Sequence, residues 1–297
     1  MKKRWISSLL AGLLAVSLTA CGGGGAQQSG GGQTAASGSE SSSGSAQAEP
    51  TTLKVGATAV PHAEILNEVV KPALEKEGIN LEVIVFQDYV LPNTNLADGE
   101  LDANYFQHIP WLENTNKEKG LDLTYVAGVH IEPMGIYSNK QKAYPDVASL
   151  PEGAKVAVTN GQGEHGRILA LLQDAGLLKL KDGVGMNGTM ADIVEKKVEL
   201  VELEPAMLPR AIEDPGIDAA VINSNFALQA GLNPTKDSIH LESGENNPYV
   251  NVLATRQDNK DSEAIQKLAK ALTSPEVKTF IEEKYGGSVL FVGQLNQ

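Results

Sequence analysis

The sequence predicts an α/β fold built from two lobes that are joined by a two-strand hinge. Short apolar runs that fit buried strands alternate with amphipathic helical segments along residues 51–297, a pattern typical of largely parallel sheets covered by helices. These 247 residues are enough for two hydrophobic cores. Two extended runs, 132–138 and 247–254, flank a block of strand–helix units. The chain is therefore expected to leave its first lobe and to return to it later.

The predicted elements begin with a strand at 53–57 and a helix at 62–77, whose apolar residues recur with helical spacing. Pro72 lies inside that helix and is expected to kink it. The later strands are predicted at 81–86, 155–159, 198–203, 218–222 and 249–254, and the later helices at 164–175, 205–213, 223–230, 262–272 and 275–284. Ser274 and Pro275 are good start signals for the last helix. Ligands of such sheets bind at the carboxyl ends of the strands, which here face the cleft between the lobes.

The first 21 residues have the pattern of a secretory signal. Three basic residues precede the apolar run 6–16, and Leu18-Thr19-Ala20-Cys21 follows. These four residues resemble the lipobox of bacterial lipoproteins, which implies cleavage before Cys21 and lipidation of its sulfur. The apolar run is shorter than the roughly 20 residues of a membrane-spanning helix. Two or more acyl chains would anchor the protein stably to the membrane.

Composition limits the classes of function. Cys21 is the only cysteine, so an exported domain has no disulfide, cysteine-based zinc site or cysteine nucleophile. Residues 22–50 contain nine Gly and seven Ser, which predicts a flexible tether. The net charge is −13, and removal of the three basic signal residues makes it −16. This acidity argues against nucleic acid as a partner.

The predicted organisation follows from these boundaries. We expect a signal peptide at 1–20, a lipidated cysteine and flexible linker at 21–50, the first part of lobe 1 at 51–136, lobe 2 at 137–247 and the return to lobe 1 at 248–297.

A glycine-rich turn precedes the predicted helix 164–175. Gly161, Gly163 and Gly166 satisfy G-x-G-x-x-G after a strand, the pattern of dinucleotide-binding folds. However, no strand ends in an acidic residue about 20 residues later, as that fold requires. Backbone amides at a helix start can equally bind a carboxylate. Arg167 falls in the first turn, where the helix dipole disfavours a cation. It could pair with Glu164, or it could grip a ligand carboxylate with its forked donors.

Asparagines follow two predicted strands. Asn223 and Asn225 come after residues 218–222, and Asn246 and Asn247 precede Pro248. Such residues are often only helix caps or turns. Beside an anion site, their carbonyl oxygens could instead accept hydrogen bonds from an ammonium group.

Aromatic residues are scarce, at 5% of the chain, yet Tyr105, Phe106, His108 and Trp111 cluster within seven positions. They form either a piece of core or the wall of a binding site. The five histidines never recur at metal-ligand spacing, although His62 and His130 could approach His108 in the fold, which leaves a metal-transport protein open. No H-E-x-x-H, G-x-S-x-G or carboxylate pair points to catalysis, so no enzyme and no cofactor is expected.

Long ordered segments from about Leu53 to the C-terminus resemble one family, the NlpA/MetQ methionine-binding lipoproteins of ABC importers. The segments include LDANYFQHIPWLENTNKEKG, VHIEPMGIYSNK, VELEPAMLPRAIED, DAAVINSNFALQAGLNPTKDSI and NNPYVNVLATRQDNKD. This resemblance implies a type II periplasmic-binding-protein fold that closes over one amino acid. It also implies an extracytoplasmic location on the cell membrane and an ABC permease as the partner.

The resemblance also implies roles for individual residues. Arg167 would hold the α-carboxylate, and Asn223 and Asn247 would hold the ends of the amino acid. The pocket around the thioether side chain would be formed by Tyr105, Phe106, His108, Phe86 and Tyr89. Trp111 is left outside the site, and sulfur packs favourably against ring edges.

The resemblance has one departure. Where the family usually reads N-D-P-T-N-x-G-R, this chain has Asn160-Gly161-Gln162-Gly163-Glu164-His165-Gly166-Arg167. That loop faces the ligand, so a more polar or larger ligand is open, with Gln162, Glu164 or His165 reaching in. The sequence thus predicts a lipid-anchored binding protein that delivers an amino acid, methionine in the L or D form, to an importer. The alternatives are another amino acid, a short methionyl peptide, a metal, or a signalling or adhesin role.

Overall fold

The computed structural model describes residues 51–296. Its strands are, in chain order, β1 (Thr51–Thr58), β2 (Ile79–Phe86), β3 (Ala103–His108), β4 (Leu123–Ile131), β5 (Gly135–Ser138), β6 (Ala154–Thr159), β7 (Leu178–Leu180), β8 (Ile193–Lys196), β9 (Val198–Leu203), β10 (Ala219–Ile222), β11 (Ser238–Leu241), β12 (Val250–Arg256) and β13 (Leu290–Leu295). Its α-helices are α1 (Lys71–Glu75), α2 (Leu91–Ala97), α3 (Ile109–Lys119), α4 (Gln162–Asp174), α5 (Leu208–Ala211), α6 (Ser224–Gln229), α7 (Pro234–Asp237), α8 (Glu263–Leu272) and α9 (Pro275–Tyr285).

Two main sheets divide the strands. The first has the order β13-β4-β12-β3-β1-β2 and the second the order β11-β5-β10-β6-β9, and β7 and β8 form a separate hairpin. Each main sheet packs on its own hydrophobic clusters. The predicted α/β fold with two lobes is therefore confirmed.

The sheets are more mixed than predicted. Strands β1, β2 and β3 are parallel, but β12 lies antiparallel between β3 and β4. In the second sheet β5 runs antiparallel to β10. Strands β5 and β12 are the first ones that the chain forms after each passage between the sheets. Because they enter at the edge where the parallel strands end, they must run in the opposite direction.

The first predicted helix, 62–77, is divided differently. Ala59–Ala63 and Leu66–Val70 form wide π-helical turns, and only α1 is α-helical. Pro72 lies in the first turn of α1, where its missing N–H removes no helical hydrogen bond. The proline therefore marks the start of a short helix rather than a kink inside a long one. No helix within residues 51–296 has both the length and the apolar character needed to span a bilayer.

Candidate functional site

A cavity that is partly open to solvent lies between the two sheets. The residues that line it come from the segments after β2 and β4, from the ends of β3 and β12, from α3, and from the starts of α4 and α6. They are Tyr89, Phe106, Gln107, His108, Trp111, Glu132, Glu164, Arg167, Asn223, Ser224, Asn225 and Asn251. Residues of both lobes contribute to the wall.

The start of α4 is fixed by glycines. The position of a Cβ on Gly166 would overlap the carbonyl oxygen of Met186 and lie 2.8 Å from its carbonyl carbon. A Cβ on Gly163 would lie 3.1 Å from Cε3 of Trp111, which belongs to the other lobe. The glycines that suggested a dinucleotide motif thus allow close packing around α4, and this packing positions Glu164 and Arg167 at the cavity.

Arg167 is held by groups from both backbone segments that connect the two sheets, the one after β4 and the one after β11. Its Nε and Nη2 donate to Oε1 and Oε2 of Glu242 at 3.0 and 2.6 Å. Nη2 also donates to the backbone oxygen of Glu132 at 2.7 Å, and the guanidinium carbon lies 4.2 Å from the ring centroid of Tyr249. Burial by itself would lower the pKa of Arg167, but the Glu242 carboxylate raises it above its ordinary value. Within residues 51–296, Nη1 has no acceptor and remains available at the cavity.

Glu164 lies in the first turn of α4 and bridges the lobes. Its Oε1 is 2.6 Å from Nε2 of His108, and its Oε2 accepts from Nδ2 of Asn223 at 3.1 Å. Its side chain is 3% exposed. Burial by itself would raise the pKa of Glu164, but the hydrogen bonds from His108 and Asn223 and the positive charge of Arg167 lower it below its ordinary value. Glu164 is therefore an ionised carboxylate in the wall of the cavity.

Three aromatic rings form an apolar part of the wall. Tyr89 packs against Phe106 and Trp111, with ring centroids 6.0 and 5.7 Å apart, and also against Phe226 at 5.2 Å. The hydroxyl of Tyr89 donates to Oδ1 of Asn225 at 2.6 Å, which joins the two lobes. Such a wall suits an apolar or sulfur-containing side chain.

A buried polar network lies beside the cavity. Nε2 of His62 and Nε2 of His130 are 3.2 and 2.8 Å from Oε1 of Glu132. Their Nδ1 atoms contact the hydroxyls of Thr58 and Tyr105, at 2.7 and 2.5 Å. Burial lowers the pKa of His62 to about 4 and that of His130 to about 3, and burial raises the pKa of Glu132.

This network is the one group of histidine and acidic side chains in the described residues with the proximity of metal ligands. The sequence suggested that His62 and His130 could approach His108. The structure brings His62 and His130 together, but His108 pairs with Glu164 instead. Both histidines already have hydrogen-bond partners at each ring nitrogen, so the network is satisfied without an ion.

The structure places five of the predicted site residues in the cavity wall. They are Tyr89, Phe106, His108, Arg167 and Asn223. Of the three loop residues expected to reach in, Glu164 does so. His165 instead contacts the backbone oxygen of Thr159 at 3.1 Å, and Gln162 does not line the cavity.

Three predicted residues lie elsewhere. Tyr105 is fully buried in the core of the first lobe, because successive side chains of a strand point to opposite faces and Phe106 takes the cavity side. Phe86 ends β2, an edge strand that β1 separates from β3. Asn247 closes a turn: it donates to the backbone oxygen of Ser243 at 2.9 Å and accepts from the amide of Tyr249 at 2.9 Å.

Sequence reasoning missed several cavity residues. Trp111 was placed outside the site but lines it, because the proline and histidine before it start α3 at the cavity edge. Glu132 and Asn251 lie at the two segments that connect the lobes. Both fall within the extended runs from which the hinge was predicted, and that signal could have identified them. Ser224 was missed between two asparagines, Asn223 and Asn225, that the sequence did single out, and all three lie at the start of α6. The predicted lipidation site, Cys21, lies outside the described residues.

Comparison with known proteins gives consistent relatives. The model of the family described as NlpA lipoprotein matches residues 53–292. The methionine-binding lipoprotein MetQ of Bacillus subtilis is 44% identical over 253 residues, which cover 84% of this chain and 91% of that protein. The D-methionine-binding lipoprotein MetQ of Escherichia coli K12 is 41% identical over 249 residues, which cover 83% of this chain and 90% of that protein.

A solved structure extends this likeness to the fold. A nutrient-binding protein of Burkholderia cenocepacia bound to methionine is 45% identical, with a TM-score of 0.75, and the match covers 80% of this chain and 99% of that chain. These relatives are described as binding proteins or lipoproteins. The family thus bears out the resemblance seen in the sequence.

Proposed function

The chain belongs to the NlpA lipoprotein family, and we propose that it is the substrate-binding protein of an ABC importer and that it captures methionine or a closely similar amino acid. The observation that carries this proposal is the pairing of Arg167 with an aromatic wall in one interlobe cavity. The relatives named as methionine-binding proteins support the choice of ligand. The protein acts by binding alone, without catalysis or a cofactor.

The two ends of the cavity suit the two ends of such a ligand. Nη1 of Arg167 is free to donate to a carboxylate, and Nδ2 of Asn225 is a buried donor without a partner in the described residues. The rings of Tyr89, Phe106 and Trp111 face a thioether side chain. Because the wall draws on both lobes, a ligand that contacts both favours the closed population.

The remaining organisation is part of the same proposal. Residues 51–136 and 248–297 form lobe 1, and residues 137–247 form lobe 2. A lipid on Cys21 anchors the protein outside the cytoplasm, residues 22–50 act as the tether, and a membrane permease receives the amino acid. Labelling with a radioactive fatty acid should modify the wild type and leave Cys21→Ala unmodified.

Binding is tested by a thermal-shift screen of L- and D-amino acids and methionyl dipeptides, followed by calorimetry. A ligand at about 100 times its dissociation constant adds about 2.7 kcal/mol to the free energy of unfolding. Replacement of Arg167 by Ala should weaken binding by at least about 2 kcal/mol, because the ligand carboxylate loses its charged donor. Arg210→Ala is the matched control, because Arg210 is exposed and does not line the cavity. Unchanged affinity in Arg167→Ala would reject the proposed role.

A further inference from the structure

Glu164 brings into the cavity wall a negative charge that no Lys or Arg side chain pairs with directly among the described residues. Arg167 makes two hydrogen bonds to the carboxylate of Glu242, so these two charges compensate each other. Glu164 makes no direct ion pair with a Lys or Arg side chain among residues 51–296, and the charge of Arg167 acts on it without a hydrogen bond between them. A buried carboxylate without a directly paired cation is costly, and Glu164 lines the cavity.

His108 does not supply the missing charge. Its Nδ1 accepts a hydrogen bond from the backbone N–H of Trp111 at 3.1 Å, so this nitrogen carries no proton. The proton of the ring is therefore on Nε2, which donates to Oε1 of Glu164 at 2.6 Å. The imidazole in this arrangement is a neutral donor that orients the carboxylate.

Acceptor positions remain free around Glu164. An ionised carboxylate offers about four lone-pair sites, and His108 and Asn223 occupy two of them. Oδ1 of Asn223 has no donor among the described residues. The carboxylate and this amide oxygen together form an acceptor pair for a group with several N–H donors and a positive charge.

We propose that Glu164 is a specificity-determining residue that binds the ammonium group of the ligand, so that the cavity selects molecules with a free, protonated amine. This assignment rests on the proposed function and adds to it the chemistry of the amine end. Arg167 Nη1 and Asn225 Nδ2 then serve the acid end. Ligands with a blocked amine are excluded, because they would leave the Glu164 carboxylate desolvated and unpaired.

The test compares three molecules by calorimetry on the full chain. L-Methionine has both charges, L-methioninamide keeps only the ammonium, and N-acetyl-L-methionine keeps only the carboxylate. In the wild type, N-acetylmethionine should bind at least about 100-fold more weakly than methionine. In Glu164→Gln, methionine should bind at least about tenfold more weakly, which corresponds to about 1.4 kcal/mol. In the same variant, the ratio between the dissociation constants of N-acetylmethionine and methionine should fall by a similar factor.

The controls separate a binding role from a structural one. Glu202→Gln removes the same charge from an exposed side chain of lobe 2 outside the cavity, and it should leave all three affinities unchanged. If Glu164→Gln weakens all three molecules by one common factor, or none of them, the assignment of Glu164 is overturned while the proposed function stands. Strong binding of N-acetylmethionine by the wild type also overturns it, whatever the fold of the variant. If the wild type binds none of the three, the proposed function fails, and the assignment fails with it.

Discussion

The packing around the start of α4 leads to a sharp prediction for Gly166. In Gly166→Ala the new Cβ would overlap the carbonyl oxygen of Met186 and approach its carbonyl carbon to 2.8 Å. Both are backbone atoms, so no side-chain rotation can relieve the contact. Either the turn Gly185–Asn187 or the first turn of α4 must move, and the second movement displaces Arg167 from the cavity.

The expected cost follows from this overlap. Ordinary van der Waals contacts of a Cβ begin near 3.4 Å, so the backbone must shift by roughly 1.5 Å to clear the carbonyl oxygen. Extra atoms forced into a packed interior cost about 1–3 kcal/mol, and we expect the upper part of that range because only backbone can yield. For a domain of this size, 2–3 kcal/mol lowers Tm by roughly 4–12 °C.

Gly161→Ala is the matched control in the same loop. A Cβ there would lie 3.4 Å from Oγ1 of Thr159 and 3.6 Å from Trp111, and its φ of −71° suits any residue. This variant should have the wild-type free energy of unfolding or gain up to about 1 kcal/mol, because Ala restricts the unfolded chain. Urea denaturation of both variants and calorimetry with methionine measure the two effects. Surface substitutions usually change the free energy of unfolding by less than about 0.5 kcal/mol. A free energy of unfolding of Gly166→Ala that differs from the wild type by no more than this would refute the steric reasoning.

Three further predictions concern buried charges and hydrogen bonds. Glu242→Gln should lower the free energy of unfolding of the ligand-free protein by about 3–5 kcal/mol, because Arg167 loses its counter-charge. It should also enlarge the rise in Tm that methionine produces, because the ligand carboxylate then replaces the lost counter-charge, and a smaller rise would contradict this. Tyr105→Phe should lower the free energy of unfolding by about 1–3 kcal/mol, because Nδ1 of His130 loses its donor, and it should leave the affinity for methionine unchanged. Weaker binding would indicate that Tyr105 contacts the ligand. The free energy of unfolding should fall as the pH is lowered from 6.5 towards 4: the pKa values of His62 and His130 lie near 4 and 3 in the folded protein, so the unfolded chain binds more protons there, at most about 1.4 kcal/mol per pH unit for each histidine. Urea denaturation at pH 6.5 and 5 checks this, and higher stability at pH 5 would contradict it.

Local signals were sufficient for much of the fold. Helix α9 begins at Pro275 as predicted, and the side chain of Ser274 accepts from the amide of Val277, because capping depends on neighbours in sequence. Strand β9 has the predicted bounds, Val198–Leu203. The wide turns before α1 were not predicted, since apolar spacing does not separate π-helical from α-helical turns.

The site residues show what local sequence signals do not predict. Arg167 was identified because it was expected in the first turn of a helix, where a cation opposes the helix dipole; α4 begins earlier, at Gln162, so Arg167 lies in its second turn. Its partner, Glu242, lies 75 residues away and has no local signature. Period-2 alternation assigns Tyr105 and Phe106 to opposite faces of β3 but does not say which face meets the cavity. Asn247 had two local interpretations, and its turn hydrogen bonds show that the simpler one describes this structure.

Arg167 also forms hydrogen bonds to both backbone segments that connect the lobes. Nη2 of Arg167 holds the oxygen of Glu132, just after β4, and its Nε and Nη2 hold Glu242, just after β11. The amide of Met134 donates to Glu242 Oε2 at 3.1 Å, which ties these two connections to each other. A guest that draws Arg167 towards itself therefore pulls on both connections at once. Substitutions that change how Arg167 is held are therefore expected to alter both the affinity for the ligand and the rate at which the lobes open and close.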